Sequence, residues 1–348
     1  MISPVSQPWL KACPKRLVRG LGFLMFGAIH TALALAQTLP TGNAGIASRY
    51  PRDAGIASDA AVIYADDFES YASASGLRAA GRWNEMFQAA NTRVATEAGN
   101  VFAGQKALEF TLPRAGGEVS NELIKYLNPT QDTVFVRFHA KYDAAFDVVG
   151  SSHNGVMIQA SYWDGPGSGP GIKADGYNKF LVSFEATRDD ASIASPGSLN
   201  IYIYHPEQRD VWGDHFYPTG RVVPFDRTPG NFGPSFVARP EVVPQRGRWY
   251  AYEVMVKANT PGLRDGRIAM WLDGALIADF PNLRLRDTAD LKVDRVNLSL
   301  HANGGIQSVS KKWYDNVVIA KSYIGPTYDG GPTAPPVPLP APTNLRVQ

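Results

Sequence analysis

The chain has 348 residues, a formal net charge of +2 and one cysteine. Acids and bases are interspersed, so no basic block marks a nucleic-acid partner, and no apolar span beyond the leader marks a membrane protein. Cys13 precedes the first apolar run, which excludes disulfides, thiolate metal sites and thiol nucleophiles from everything after it.

Lys11, Lys15, Arg16 and Arg19 precede an apolar run from Leu21 to Leu35, and Ala34-Leu35-Ala36 has the small-x-small form of a cleavage site. Residues 1–36 therefore read as a signal peptide, and the protein as secreted, periplasmic or extracellular. A single-pass anchor is the rival, but the run is short for a bilayer. Residues 37–60 are small and polar, with AGIAS at Ala44–Ser48 and again at Ala54–Ser58. Two copies are too few for a solenoid. The segment reads as an extended, partly disordered lead-in.

A single domain is expected over 61–325. It opens at AVIYADDFESY (Ala61–Tyr71) and passes through a mixed stretch, 72–100, that suits a short helix or loop. GQKALEFTLP (Gly104–Pro113) alternates as a strand, SNELIKYL (Ser120–Leu127) is ambiguous, and TVFVRFHAKYD (Thr133–Asp143) is a clear strand. On the last, Val134, Val136, Phe138 and Ala140 share one face; Arg137, His139 and Lys141 share the other. GVMIQASY, KFLVSFEATR and LNIYIYHPE follow as strands, with a Gly-rich loop after the first. Residues 208–246 lack a period and read as one long connection.

Tyr252, Val254 and Val256 then alternate against Glu253, Met255 and Lys257, and Ile268, Met270 and Leu272 against Ala269, Trp271 and Asp273. Asp273-Gly274 marks a hairpin turn. Val296, Leu298 and Leu300 alternate against Asn297, Ser299 and His301. Residues 326–348 form a Pro-rich tail or linker. Eight to twelve strands and no long amphipathic helix predict an all-β fold, a jelly-roll β-sandwich of two antiparallel sheets. The polar face of a curved sheet can become a groove for a linear chain.

NTPGLRDGRIAMWLDG (Asn259–Gly274), Tyr202-Ile203-Tyr204, Gly247-Arg248-Trp249 and the closing Trp313-Tyr314-Asp315-Asn316 resemble polysaccharide lyases of the alginate and glucuronan lyase type. That family has a concanavalin A-like jelly roll. The likeness covers most of 61–325 and is strongest after about Leu199. It implies a uronate-containing substrate and β-elimination, with Tyr202 and Tyr204 in the position of the proton-transferring tyrosines. It also implies a structural calcium between the first and last strands, for which Glu69, Asp315 and the Gly104 carbonyl are the candidates.

The chain departs from the family in two places. The lysine-bearing Gly-Gly-Lys-Leu-Pro-Gly stretch appears as SSHNGVMIQ (Ser151–Gln159), leaving His153, Asn154 and Gln159 as substitutes. The arginines of the next strand are replaced by Lys179, Ser183 and Glu185.

Each candidate has a bland counterpart. Arg137, His139 and Lys141 form a cationic strip for an acidic glycan, or a solvated outer face. His301 is a proton shuttle or a structural histidine. Trp163, Trp212 and Tyr217 stack on sugar rings or plug loops. Glu69 and Asp315 hold calcium or cap turns. The leading expectation is a secreted lyase-like enzyme acting on an acidic polysaccharide. Tyr202 or Tyr204 transfers the proton, helped by His153 or His301, and Arg137 and Lys141 bind the carboxylate. The alternative is a non-catalytic carbohydrate-binding or surface-structural protein. Glycoside hydrolysis, which needs two carboxylates flanking the bond, ranks last because no E-x-D-x-x-E strand is present.

Overall fold

A computed structural model describes residues 38–329 apart from 80, 151, 224–229 and 233–235. The leader and residues 330–348 of the tail lie outside the described residues. In chain order the strands are β1 (Val62–Asp66), β2 (Glu85–Phe87), β3 (Thr92–Ala95), β4 (Ala107–Leu112), β5 (Val119–Gln131) and β6 (Thr133–Tyr142). Then come β7 (Ser152–His153), β8 (Val156–Ala160), β9 (Phe180–Thr187), β10 (Ser198–Tyr204), β11 (Asp214–Phe216) and β12 (Arg221–Val223). The last six are β13 (Gly230–Asn231), β14 (Tyr250–Lys257), β15 (Gly266–Leu272), β16 (Ala275–Leu283), β17 (Val293–Ala302) and β18 (Ser310–Ala320).

They form two antiparallel sheets. The first runs β16-β15-β14-β6-β18-β4-β3, with β1 on β18. The second runs β13-β12-β11-β10-β9-β8-β17-β5-β2, with β7 on β17. The ambiguous SNELIKYL stretch is β strand, within β5. The 72–100 stretch holds one short helix, α1 (Ala74–Ala79), together with β2 and β3. The long connection of 208–246 is less irregular than its composition suggests, because β11, β12 and β13 extend the second sheet from within it.

Strand alternation builds the core. Val134, Val136 and Phe138 of β6, Val254 and Val256 of β14, and Ile268 and Met270 of β15 face Ile158, Val182, Ile201 and Leu298 of the second sheet in one buried cluster. Asp273 and Gly274 both have positive φ, 48° and 77°, the backbone of a type I′ hairpin turn. Asn259, the head of the NTPG motif, is a buried staple. Its Oδ1 accepts the backbone N–H groups of Leu285 and Arg286, and its Nδ2 donates to three carbonyls.

The outer face of the first sheet is apolar in places, through Phe135, Met255, Ala269, Trp271 and Val318. It is covered by the segment expected to be a loose lead-in. From Leu39 to Ser58 the chain makes successive short 3₁₀ turns that bury Ile46, Ala47 and Ile56 against those residues. Trp271 donates its indole N–H to the Pro40 carbonyl at 2.9 Å. That expectation is corrected: burial of an apolar sheet face offsets the entropy of ordering the segment.

Cover by the chain itself also explains why Arg137, His139 and Lys141 are not a substrate strip. They lie on β6, on the far side of the sandwich from Tyr202, and are 0%, 2% and 7% exposed. Arg137 pairs with Asp53 at 2.7 Å and donates to the Asn316 carbonyl. His139 stacks on Phe102, and Lys141 donates to Gly99 O and Asn100 Oδ1. Alternation placed them correctly on one polar face, but the polypeptide itself covers that face. Replacing Asp53 by Ala leaves the buried Arg137 charge without its partner and is expected to cost about 3 kcal/mol of stability. A urea unfolding midpoint unchanged by the substitution would contradict this.

Candidate functional site

The outer face of the second sheet is built by the same alternation. Since Ile158, Val182, Phe184, Ile201, Ile203, Leu298 and Leu300 point into the core, the residues between them point outwards. Register then sets these side by side. Tyr202 lies opposite Ser183, Ser183 opposite Met157, and Met157 opposite Asn297. Ser299 lies opposite Glu122, and His301 opposite both Ser120 and His153.

His153 stands at the centre. Gly155 lies two residues on, and a Cβ there would overlap the Phe184 carbonyl oxygen, so only glycine lets this segment approach β9. The approach puts His153 Nδ1 2.9 Å from Glu185 Oε2, which also accepts the Ser183 hydroxyl at 2.7 Å. The His153 side chain is 24% exposed and that of Glu185 is fully buried. Around His153 lie the rings of Tyr202 (centroids 4.8 Å apart) and His301 (5.4 Å). His215 packs on the other side of Tyr202 and meets Asn200 Oδ1. Asn297 Nδ2 donates to Glu122 Oε2 at 3.0 Å, and His301 Nε2 lies 2.6 Å from Asn303 Oδ1.

Asn154 anchors the segment from behind. Its side chain bonds both backbone groups of Ala186, while Oδ1 accepts the Tyr142 hydroxyl. The buried Lys312 ammonium donates to Tyr142 Oη and the Asn154 carbonyl. Burial pushes that lysine well below its ordinary pKa.

The electrostatics assign protonation states. Burial alone would lower the His153 pKa, but the Glu185 carboxylate, by charge and hydrogen bond, with Glu122 adding to it, turns the net shift upward. With Glu185 accepting the Nδ1 proton, the lone pair of neutral His153 lies on Nε2. Burial lowers His301 and His215. It raises both Tyr202 and Tyr204. These phenols therefore stay protonated at neutral pH, which leaves them the role of proton donor rather than base.

The other half of the face is closed by the Gly-rich loop after β8. Tyr204 is 1% exposed and accepts the Gly171 N–H. Lys179 is enclosed by the Tyr162 and Tyr204 rings and donates to the Gly169 carbonyl, and burial lowers it to about 8. Gln159 is buried with its amide towards Met157 Sδ. Trp212 packs over Gly171, where a Cβ would stand 3.3 Å from the indole. The structure thus brings His153, Tyr202, His301 and Glu185 together. It places Tyr204, Lys179, Gln159 and Trp212 in or against the covered half. Glu122 and Asn200 went unnoticed in the sequence. The Ser120–Glu122 alternation was the signal for the first, hidden by the helix-like look of SNELIKYL.

Glu69, Gly104 and Asp315 do meet, at the turn of residues 102–106. Asp315 Oδ2 accepts the Phe102 and Ala103 N–H groups, Oδ1 that of Asn316, and Glu69 Oε1 those of Gln105 and Lys106. Burial, with the Glu69 charge adding to it, pushes the Asp315 carboxyl up to about 7 against these donors. This unrelieved pair of acids fits a cation in part. The oxygens are already shared with backbone N–H groups, and among the described residues no group of three or more His, Cys, Asp or Glu side chains is suited to a metal.

No protein-family profile matches the sequence, and no curated protein matches it. Solved structures do. Alginate lyase Aly36B, bound to an alginate trisaccharide, superposes with a TM-score of 0.54 at 17% identity over 76% of this chain and 100% of its own. The marine alginate lyase from Aplysia kurodai gives 0.53 at 12% identity, over 75% and 100%. An endo-β-1,4-glucuronan lyase from the fungus Trichoderma reesei gives 0.47 at 16%, over 75% and 96%. At these identities the likeness concerns architecture, and the chain has the jelly-roll fold of the alginate lyases.

Proposed function

We propose that the protein is a polysaccharide lyase that cleaves a uronate-containing glycan by β-elimination on the outer face of the second sheet. The observation that carries this is the Ser183–Glu185–His153 chain of hydrogen bonds ending beside the protonated Tyr202 phenol. Neutral His153 removes the proton next to the uronate carboxyl through Nε2. Tyr202 donates a proton to the departing glycosidic oxygen. Glu185 orients the imidazole and stabilises its cation as it forms. The alginate-lyase fold supports the same reading. Secretion is proposed with it, on the leader of residues 1–36. Among the described residues no helix is long and apolar enough to cross a membrane.

Glycan binding without cleavage is the second reading, favoured by the absence of the family's lysine from SSHNGVMIQ. One assay separates the two. Purified protein is incubated with uronate glycans, free and esterified, and the absorbance of the new unsaturated bond is followed. Signal is expected, falling by about 10²–10⁴-fold in His153→Ala and in Tyr202→Phe. No signal on any uronate removes the lyase reading and leaves binding.

The active form of His153 is the neutral one, and Glu185 raises its pKa. The rate should therefore fall as pH drops through a value above the ordinary histidine pKa of about 6.5. Removing the carboxylate in Glu185→Gln lowers that pKa, so the acidic limb should move to lower pH as the maximum rate declines. A limb that stays in place would dissociate His153 from the profile.

Calcium at the 102–106 turn is proposed as structural only, held by Glu69 and Asp315 with turn carbonyls and water. Chelator-treated protein should then gain Tm when Ca²⁺ is returned, with Asp315→Asn abolishing the gain. An unchanged Tm removes calcium and leaves Asp315 as a turn staple.

A further inference from the structure

Elimination beside a carboxyl group requires the negative charge that builds on that group to be stabilised. A free uronate carries one charge before reaction begins. The open half of this face meets it with acids. Glu185 lies under His153, Glu122 beside Asn297, and Glu118 3.7 Å from the His301 ring. Asp189 adds its charge near His215.

The basic side chains that register and packing bring to the edges of the face are already engaged. Lys179 is enclosed by two tyrosines and bonded to Gly169 O. Arg295 is held between Asp294 and Asp164. Arg221 stacks on Tyr217 and pairs with Glu241. The neutral donors and acceptors, by contrast, include unspent capacity. Asn297 Oδ1 is buried without a partner in a side chain that is 2% exposed. Burial raises the Glu122 carboxyl above the ordinary range, against the Asn297 amide that donates to it.

We propose that the site takes a uronate chain whose carboxyl is already uncharged, an esterified uronic acid, with Asn297 Oδ1 accepting a sugar hydroxyl. This rests on the elimination described above. In it the C5–H bond breaks, its proton passes to His153 Nε2 and its electron pair forms the C4=C5 bond. The C4–O bond breaks, and its oxygen leaves with the Tyr202 proton. The imidazolium and the phenolate then recover their starting states by proton exchange with water. The ester makes the C5 proton more acidic and brings no charge, so the lysine missing from SSHNGVMIQ is not required.

The test uses highly methyl-esterified polygalacturonate and methyl-esterified alginate, each beside its saponified form, with the full secreted protein. The expected result is formation of unsaturated ends at least about tenfold faster on an ester than on the matching acid, the scale of one unpaired charge in a half-buried site. Glu122→Gln, which removes one acid from the face, should narrow this ratio, and Asn297→Ala should raise KM on the ester with a smaller change in kcat. Equal or faster cleavage of the saponified chain, lost in His153→Ala, overturns the ester proposal and leaves the lyase reading standing. Cleavage of neither form overturns both.

Discussion

The contact between His153 and Glu185 is what the rest of the candidate site depends on. A fully buried carboxylate is costly unless it is hydrogen-bonded, and here its Oε2 is satisfied by Ser183 and by an imidazole that reaches the surface. That arrangement fixes the ring's orientation and the position of its lone pair, and it raises its proton affinity. It also explains the scaffolding behind it. Gly155 permits the close approach to β9, and the Asn154, Tyr142 and Lys312 network prevents the two-residue strand β7 from drifting. Tyr202 and His301 gain their relevance from standing next to this pair.

The two sheets treat their outer faces differently. The first sheet presents Trp271, Phe135 and Met255 outwards, together with the Arg137 cation, and the 39–58 segment seals all of them. The second presents hydroxyl, amide, imidazole and carboxyl groups and is covered over Tyr204, Lys179, Leu181 and Gln159. A polar face is therefore no sign of a binding face. What decides is whether another part of the chain supplies the partners.

Most of the fold was legible because it rests on local signals. The Asp273-Gly274 turn, the alternations of β14, β15 and β17 and the NTPG staple at Asn259 each work within a few residues. The catalytic candidates were legible in part for the same reason: Tyr202, Glu185 and His301 sit at outward positions of clear strands, and His153 in the stretch where the family's lysine is missing. The error over Arg137, His139 and Lys141 was of another kind. Their partners, Asp53, Phe102 and Asn100, lie far along the chain, and the covering segment docks through Ile46 and Ile56, which show no strand or helix period. The raised pKa values of Tyr202 and Tyr204 were equally out of reach, because they come from burial by distant segments, Gly213 over Tyr202 and the Gly171 loop over Tyr204.

The most direct test of the central claim is the response of the histidine ring signals, by NMR, to added glycan, using Tyr202→Phe protein, in which turnover is expected to be slow, and the esterified chains named above. His153, His301 and His215 share the candidate face, while His139 lies on the opposite sheet, stacked on Phe102. The account predicts that the first three shift together, saturably, and that His139 does not. Shifts confined to His139, or saturable binding that leaves His153 unmoved, would contradict it.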